Sequence, residues 1–180
     1  VDNEIISDLF GFNTHGGVSL RKNIGLLIDD LNTEYTSAAV KGAELGARAI
    51  DANMYIFPGM YLDNTQFFDS HLQYEYQYNT LFQFANDNHL DILYVMMGMI
   101  GCRVNLEVRR KFLAQFLGIP VVILYTDMPG YPSIIFDNQG AFMHGIRHLI
   151  VDHGAKKIGF VSGPKTNIDA MERLSAYRKV

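Results

Sequence analysis

The chain of 180 residues has no tryptophan, a single cysteine and five prolines. The lone Cys102 cannot form a disulfide within the chain, which allows a reducing compartment. No apolar stretch reaches the roughly 18 residues that a membrane-spanning helix needs. The first residues are acidic and do not have the positive charge of a secretory signal peptide. We therefore expect a cytoplasmic protein that does not bind membranes.

Basic residues are also few, because 15 Lys and Arg stand against 19 Asp and Glu, for a net charge of −4. Non-specific binding of nucleic acid needs a strong basic surplus, so we expect no direct nucleic-acid binding by this chain. Hydrophobic residues make up 48% and charged residues 19% of the sequence. These are the values of a globular protein rather than of a disordered chain.

Short apolar runs alternate along the chain with amphipathic segments. The runs predict strands at residues 24–28, 54–57, 91–97, 121–125 and 156–161, and a short extended piece at residues 133–136. The intervening segments predict helices near residues 33–51, 74–88, 105–117 and 138–153, and from 167 onward. This alternation is typical of right-handed βαβ units, so it predicts an α/β fold with a mostly parallel sheet covered by helices.

Ligands of such sheets bind beyond the carboxyl ends of the strands, so the residues that follow the strands are the first candidates for a site. Asp29 and Asp30 follow the first strand. They are either solvent-exposed residues at a helix start or hydrogen-bond acceptors for a polar neutral ligand. Tyr35 offers an aromatic face that stacks well on a sugar ring or a base. Gly98 follows the third predicted strand and Asp127 the fourth.

No motif for covalent chemistry stands at these positions. Residues 162–166 resemble the last residues of a P-loop, which ends in Gly-Lys-Ser/Thr. Here Pro164 replaces the second glycine and has no N–H to donate to a phosphate. His144 and His148 lie one helical turn apart with His153 nearby, but a zinc enzyme needs a third ligand and a general base, so we favour structural histidines. We therefore predict no catalysis, no metal and no cofactor for this chain. A flavodoxin-like or hydrolase-like enzyme is the minor alternative.

Three segments resemble the effector-sensing domain of LacI/GalR-type regulators, which has the type I periplasmic-binding-protein fold. The first is the strand at 24–28 with the following helix that contains Gly42. The second is the run GIPVV at residues 118–122. The third and most specific comprises residues 132–138, 148–150, 153–164 and 173–177. Order and spacing match over about residues 24–180. Within this region, residues 57–59 and 76–79 are similar to the sensor domains of GGDEF-type signalling proteins.

The resemblance implies two βαβ lobes joined by crossing strands, with a ligand between them. Residues 1–23 would form an N-terminal arm, and residues 24–131 the first lobe. Residues 132–180 would form the crossover and the start of a truncated second lobe. The arm is too short, and too interrupted by glycine, to be the helix-turn-helix of a repressor.

The resemblance also implies that Arg173 reaches into the cleft to hold ligand hydroxyls. The alternative is an exposed Arg173 that pairs with Asp169 or Glu172 of its own helix. The sequence Tyr-Thr-Asp at 125–127 stands where the family commonly has Asp-Arg, so a common sugar cannot be assumed as the ligand. The complete set of candidate ligand-binding residues is Asp29, Tyr35, Gly98, Asp127, Asp137, Asn138 and Arg173.

The function that the resemblance implies is ligand sensing in a bacterial regulatory protein, either a LacI-type transcriptional regulator or a GGDEF-type sensor. A small polar metabolite such as a sugar would bind between the lobes, and their closure would shift an output domain. The alternative is a dimerisation scaffold that binds no ligand. In both cases we expect a homodimer, because a half-built second lobe leaves apolar faces and a strand edge uncovered.

Overall fold

The computed structural model describes residues 21–63, 72–87, 89–163, 165 and 167–180. Its elements in chain order are β1 (Asn23–Ile28), α1 (Glu34–Ala49), β2 (Asn53–Pro58), a 3-10 helix (Leu72–Gln83), α2 (Phe84–Asp87), β3 (Ile92–Val95), α3 (Met97–Ile100), α4 (Leu106–Leu113), a 3-10 turn (Ala114–Phe116), β4 (Val121–Leu124), β5 (Ser133–Ile134), α5 (Asn138–Val151) and α6 (Ile168–Lys179). Nearly all of the predicted arm, residues 1–23, lies outside the described residues. In the described part of the chain, no helix is both long and apolar enough to cross a bilayer.

The five strands form one parallel sheet in the order β2-β1-β3-β4-β5. Strand β1 lies between β2 and β3, so that Leu26 pairs with Ile56 on one side and with Tyr94 on the other. Five of the six residues of β1 are buried, as expected for a strand covered on both faces. The predicted α/β fold with a parallel sheet is confirmed.

The two faces of this sheet are covered unequally. On one face, the 3-10 helix, α3 and α4 enclose a large core in which Phe112 packs edge-on against Phe82 and Phe116, with ring centroids 5.5 and 5.4 Å apart. On the other face, the buried cluster contains only Leu26, Ile28 and Met96, with residues of α1 packed against it. An apolar groove of about 680 Å³ remains there between α1 and the strands.

The four longest α-helices begin at polar side chains that accept a hydrogen bond from a backbone N–H three residues further on. These capping residues are Thr33 (3.1 Å), Asn105 (3.0 Å), Asp137 (2.7 Å) and Asn167 (2.9 Å). Such caps satisfy backbone donors that have no partner inside the helix, and each stabilises its helix by about 1 kcal/mol. The helices therefore begin where a polar side chain can cap them, and such side chains can be identified in the sequence.

The predicted strand at residues 156–161 is wrong, because this segment has no strand conformation in the structure. A strand needs a neighbour for its hydrogen-bond ladder, and no strand of the described chain pairs with this segment. It packs instead on α5 and α6 through Phe160, which lies edge-on to Phe142 and stacked on Tyr177. The Tyr177 hydroxyl donates a hydrogen bond to the Ile158 carbonyl at 2.7 Å.

The predicted α-helix at residues 74–88 is mostly a 3-10 helix, with only Phe84–Asp87 in α conformation. Residue 88 lies outside the described residues. The side chain of Asn79 ties this segment to the loop after β2, because its Oδ1 accepts from the N–H of Met60 and its Nδ2 donates to the carbonyl of Tyr61. These contacts across about 18 residues are not visible in the local pattern of apolar residues.

Candidate functional site

The carboxyl ends of β1, β3 and β4 lie side by side at one edge of the sheet, where parallel α/β proteins bind their ligands. The first residues of α6 lie against this edge. Their contact leaves a small gap of about 20 Å³ whose lining residues are Gly98, Cys102, Arg109, Tyr125, Thr126, Asn167, Ile168 and Asp169. The edge therefore faces the segment that was predicted to begin a second lobe, and we call the space between them the crevice.

Three aromatic rings from separate segments are in contact with one another, and we call Tyr35, Tyr125 and Phe136 the aromatic row. All three line the apolar groove beside α1, and Tyr125 lines the crevice as well. The Tyr35 and Tyr125 rings have centroids 5.4 Å apart at a tilt of 57°. The Tyr125 and Phe136 rings are stacked, with centroids 4.9 Å apart. Tyr35 is 45% and Phe136 55% exposed, so the row presents accessible ring faces. Such faces can stack on a flat, apolar side of a small ligand.

Tyr125 at the centre of the row has φ of 69°, a left-handed conformation that bulky residues seldom adopt. Its N–H donates to the carbonyl of Ile134 in β5 at 2.7 Å. On its other side lies Gly98, where an added Cβ would stand 2.6 Å from the Tyr125 carbonyl oxygen. The absence of a side chain at Gly98 therefore makes room for the strained backbone of Tyr125. Strain of this kind concentrates at functional sites.

Asp29 is buried below the start of α1, with only 1% of its surface exposed. Its Oδ1 accepts a hydrogen bond from the Thr36 hydroxyl at 3.3 Å, and its Oδ2 has no hydrogen-bond partner among the residues that the structure describes. Burial raises the pKa of Asp29, an effect that backbone N–H groups and Thr36 partly oppose. The solvent-exposed interpretation of Asp29 is therefore wrong, and its role in ligand binding stays a prediction.

Asp30, the second member of the predicted acidic pair, is engaged with its own loop. Its Oδ1 accepts hydrogen bonds from the N–H groups of Asn32 at 2.6 Å and Thr33 at 3.3 Å. This turn leads the chain from β1 into α1 and sets the position of Tyr35 in the aromatic row. Asp30 thus stabilises the conformation of the loop between β1 and α1.

The remaining predicted site residues lie on the crossover and on α6. Asp137 caps α5 and accepts from the N–H of Gly140, and Asn138 is the first residue of that helix. Asp127 is exposed after β4. The side chain of Arg173 is 46% exposed and forms an ion pair at 3.9 Å with Asp169 of its own helix. The geometry of Arg173 is thus the one expected from the alternative interpretation, and its reach into the crevice is untested.

Burial raises the pKa of Tyr35, and the charges of Tyr125 and of Asp169 in α6 raise it further. The sequence analysis missed Tyr125, Phe136 and Asp169 as site residues. Tyr125 and Phe136 are the last residues of the predicted extended segments 121–125 and 133–136, and that position was the available signal. Asp169 could not be found from local pattern, because its place depends on how α6 packs.

A second group of side chains lies where the loops after β2 and β3 meet. The guanidinium carbon of Arg103 lies 3.8 Å from the centre of the Tyr61 ring, a cation–π contact. Burial raises the pKa of the Cys102 thiol, although Arg103 and Arg109 partly oppose it. The thiol is therefore not an activated thiolate. Of this group, Cys102 lines the crevice together with Arg109 and Tyr125, so polar and aromatic side chains meet there.

In comparisons with known proteins, no protein-family model and no curated protein matches the chain. Several solved structures match it. The lac repressor dimer bound to operator and the anti-inducer ONPF matches with a TM-score of 0.65 and 18% identity, over 99% of this chain and 47% of that chain. The Escherichia coli transcriptional repressor ascG matches with a TM-score of 0.61 and 15% identity, over 88% and 52%. The trehalose repressor from Escherichia coli matches with a TM-score of 0.61 and 16% identity, over 89% and 55%.

These likenesses establish the fold. The chain has the parallel α/β arrangement found in the effector-binding part of LacI-type repressors, as the resemblance in the sequence implied. The chain spans about half the length of the repressor structures that it matches. The proteins matched are transcriptional repressors by description, rather than enzymes.

Proposed function

We propose that this chain forms the first lobe, the crossover and the start of the second lobe of a ligand-sensing domain in a cytoplasmic bacterial regulatory protein. A small polar metabolite such as a sugar would bind in the crevice between the lobes. The output would be DNA binding, as in a LacI-type regulator, or a GGDEF domain, as in a signalling protein. This chain itself would neither catalyse a reaction nor bind nucleic acid, and it would act as a homodimer.

The observation that carries this proposal is the aromatic row at the carboxyl edge of the sheet. Its three rings come from the start of α1, the end of β4 and the segment after β5, so three separate parts of the chain converge on one place. Two of the rings are half exposed, as are the nearby side chains of Leu31, Ile134 and Ile135. A continuous exposed patch of large apolar side chains often marks a binding surface.

A sensing role also requires a movable partner for this surface. The start of α6 would be this partner, and its position supports the proposal, since Asn167, Ile168 and Asp169 line the crevice. The described chain crosses from the sheet to this side by way of Phe136, Asp137 and α5. A ligand that contacts both sides binds the closed arrangement better than the open one, which is the only condition for it to shift the equilibrium.

The test is a screen of the full-length protein against sugars, nucleosides and amino acids by thermal shift, followed by calorimetric titration. We expect at least one compound to raise the melting temperature in a saturable way. Phe136→Ala should then weaken its binding about threefold to tenfold, since a ring contact of this kind contributes about 0.5–1.5 kcal/mol. A matched control is Leu117→Ala, which truncates an apolar side chain that is 86% exposed before β4, at the opposite edge of the sheet.

The control variant should bind the compound as the parent protein does. A flat response across the library would contradict the sensing proposal. Equal loss of affinity in Phe136→Ala and Leu117→Ala would also contradict it, because the ligand would then not depend on the crevice.

A dimerisation scaffold without a ligand is the second candidate, and the apolar groove beside α1 favours it. The α1 side of the groove consists largely of small residues, among them Ala38, Gly42 and Gly46 at helical spacing. Small residues let another helix approach closely. Gly42→Arg would place a charge in the groove without a clash, since nothing lies within 4 Å of an added Cβ there. Under the scaffold hypothesis this variant is monomeric and the ligand screen is flat.

A further inference from the structure

A cluster of two histidines and one aspartate lies at the C-terminal end of α5, outside the crevice. The Nε2 atoms of His148 and His153 are 3.0 Å apart, and the two rings stand almost perpendicular, with centroids 4.6 Å apart. On its other side, the Nδ1 atom of His148 lies 2.5 Å from the Oδ2 atom of Asp152. All three side chains are exposed, so a metal ion from solution can reach them.

The backbone at the end of α5 holds His153 in this place. Gly154 has φ of 63°, the left-handed conformation that ends many helices. The N–H of Ala155 donates to the carbonyl of Leu149 at 3.0 Å, so the chain after the helix is bound back to its last turn. The chain therefore turns back immediately after His153, and its ring lies over the preceding helical turn.

The hydrogen bond to Asp152 determines which nitrogen of His148 is free. An ionised carboxylate only accepts hydrogen bonds, so the Nδ1 atom of His148 carries the hydrogen and its Nε2 atom has the lone pair. Histidines that bind metals are oriented in the same way, by a carboxylate on the ring nitrogen that does not touch the metal. The hydrogen bond to Asp152 thus orients the His148 ring so that its Nε2 lone pair lies on the side of His153.

The separation of the two Nε2 atoms agrees with a shared metal ion. Two imidazole nitrogens at about 2.1 Å from one ion, with an angle of about 90–110° between them, stand about 3.0–3.4 Å apart. We propose that His148 and His153 together bind a divalent transition-metal ion through their Nε2 atoms, with Asp152 as the positioning residue. Zinc and nickel are the ions that suit imidazole ligands.

The metal would replace the hydrogen that otherwise lies between the two rings, so that His153 takes its Nδ1–H tautomer. Within the described ranges, no group of three or more histidines, cysteines or carboxylates is gathered in a way that could hold a metal. Water therefore completes the coordination sphere, and the site is an open site with two imidazole ligands. A metal ion bound by both histidines would link the last turn of α5 to the turn at Gly154.

The test is calorimetric titration of the tag-free, EDTA-treated full-length protein with Zn²⁺ alone. We expect one ion per chain with a dissociation constant in the micromolar range. His148→Gln and His153→Gln should each weaken this binding at least tenfold. Asp152→Asn should weaken it by about tenfold, as is typical for the partner of a metal-binding histidine. Because these side chains are exposed, the variants should keep the melting temperature of the parent in the absence of metal.

The matched control is His144→Gln, the same change one turn earlier on the same helix, which should leave the affinity for zinc unchanged. Nitrogen NMR of the histidine rings gives a second readout, because His148 should be in the Nδ1–H tautomer in the parent and lose this preference in Asp152→Asn. Absence of zinc binding up to millimolar concentration would overturn the proposal. So would equal affinity in the parent and in His153→Gln, or loss of binding in His144→Gln.

Discussion

The close contact between Gly98 and Tyr125 predicts that Gly98→Ala destabilises the protein. An added Cβ would stand 2.6 Å from the carbonyl oxygen of Tyr125, and 2.8 Å from its carbonyl carbon and its Cβ. Two of these three atoms belong to the backbone next to β4, which cannot move away as the end of a flexible side chain could. Overpacking of this kind costs about 1–3 kcal/mol. Alanine is better than glycine in a helix by about 1 kcal/mol, which offsets part of the cost.

We therefore expect the free energy of unfolding to fall by up to about 2 kcal/mol, which lowers the melting temperature of a protein of this size by up to about 8 °C. The control is Gly145→Ala in α5, where nothing lies within 4 Å of an added Cβ. That variant should gain about 0.5–1 kcal/mol, because only the cost of ordering glycine is removed. Urea denaturation measures both. If Gly98→Ala is as stable as Gly145→Ala, the described packing of Gly98 against Tyr125 is incorrect.

Three further predictions concern the buried carboxylate, the arginine of α6 and association. The pKa of Asp29 is raised by burial, so the stability that Asp29 contributes is complete below its ordinary pKa of about 3.9 and is lost as the pH rises through the higher pKa of the folded state. Asp29→Asn should thus be at least as stable as the parent at pH 7 in urea denaturation, and a variant that loses stability between pH 4 and pH 7 relative to the parent would contradict this. Arg173→Lys should lower the affinity of the full-length protein for its ligand about tenfold or more without changing stability, since a hydrogen bond to a charged group contributes about 1.5–3 kcal/mol; calorimetry that finds equal affinity would make Arg173 a surface residue. Light scattering should show at least a dimer, because the groove beside α1 and the edges of the sheet are apolar or open, and a clean monomer at high micromolar concentration would count against it.

Much of the fold is predictable from the sequence because its elements depend on local chemistry. The apolar run at β1 predicts a strand buried on both faces, and Thr33, at the start of the predicted helix 33–51, caps α1 in the structure. Gly118, which directly follows the predicted helix 105–117, has φ of 96°, which favours glycine. In each case a few neighbouring residues are sufficient to determine the conformation.

The errors occur where distant parts of the chain decide the outcome. The apolar residues at 156–161 have the composition of a strand, but a strand forms only beside a partner. Asp29 was identified from its place after β1, yet its burial depends on how α1 lies over it. The aromatic row was missed because its rings come together only when α1, β4 and the segment after β5 meet. Position after a strand thus indicates where a site lies, whereas the tertiary packing decides which side chains form it.

The measurement that tests the sensing proposal most directly is fluorescence titration with a tryptophan placed in the aromatic row. The chain has no tryptophan, so Phe136→Trp adds a single reporter to it in the aromatic row, and Leu117→Trp adds one at the opposite edge of the sheet. Compounds that raise the melting temperature in the screen are titrated into both variants of the full-length protein. The proposal predicts a saturable change in the emission of the tryptophan at position 136 and none at position 117. A stabilising compound that changes the emission at position 117 alone, or at neither position, would show that ligand does not bind between the lobes.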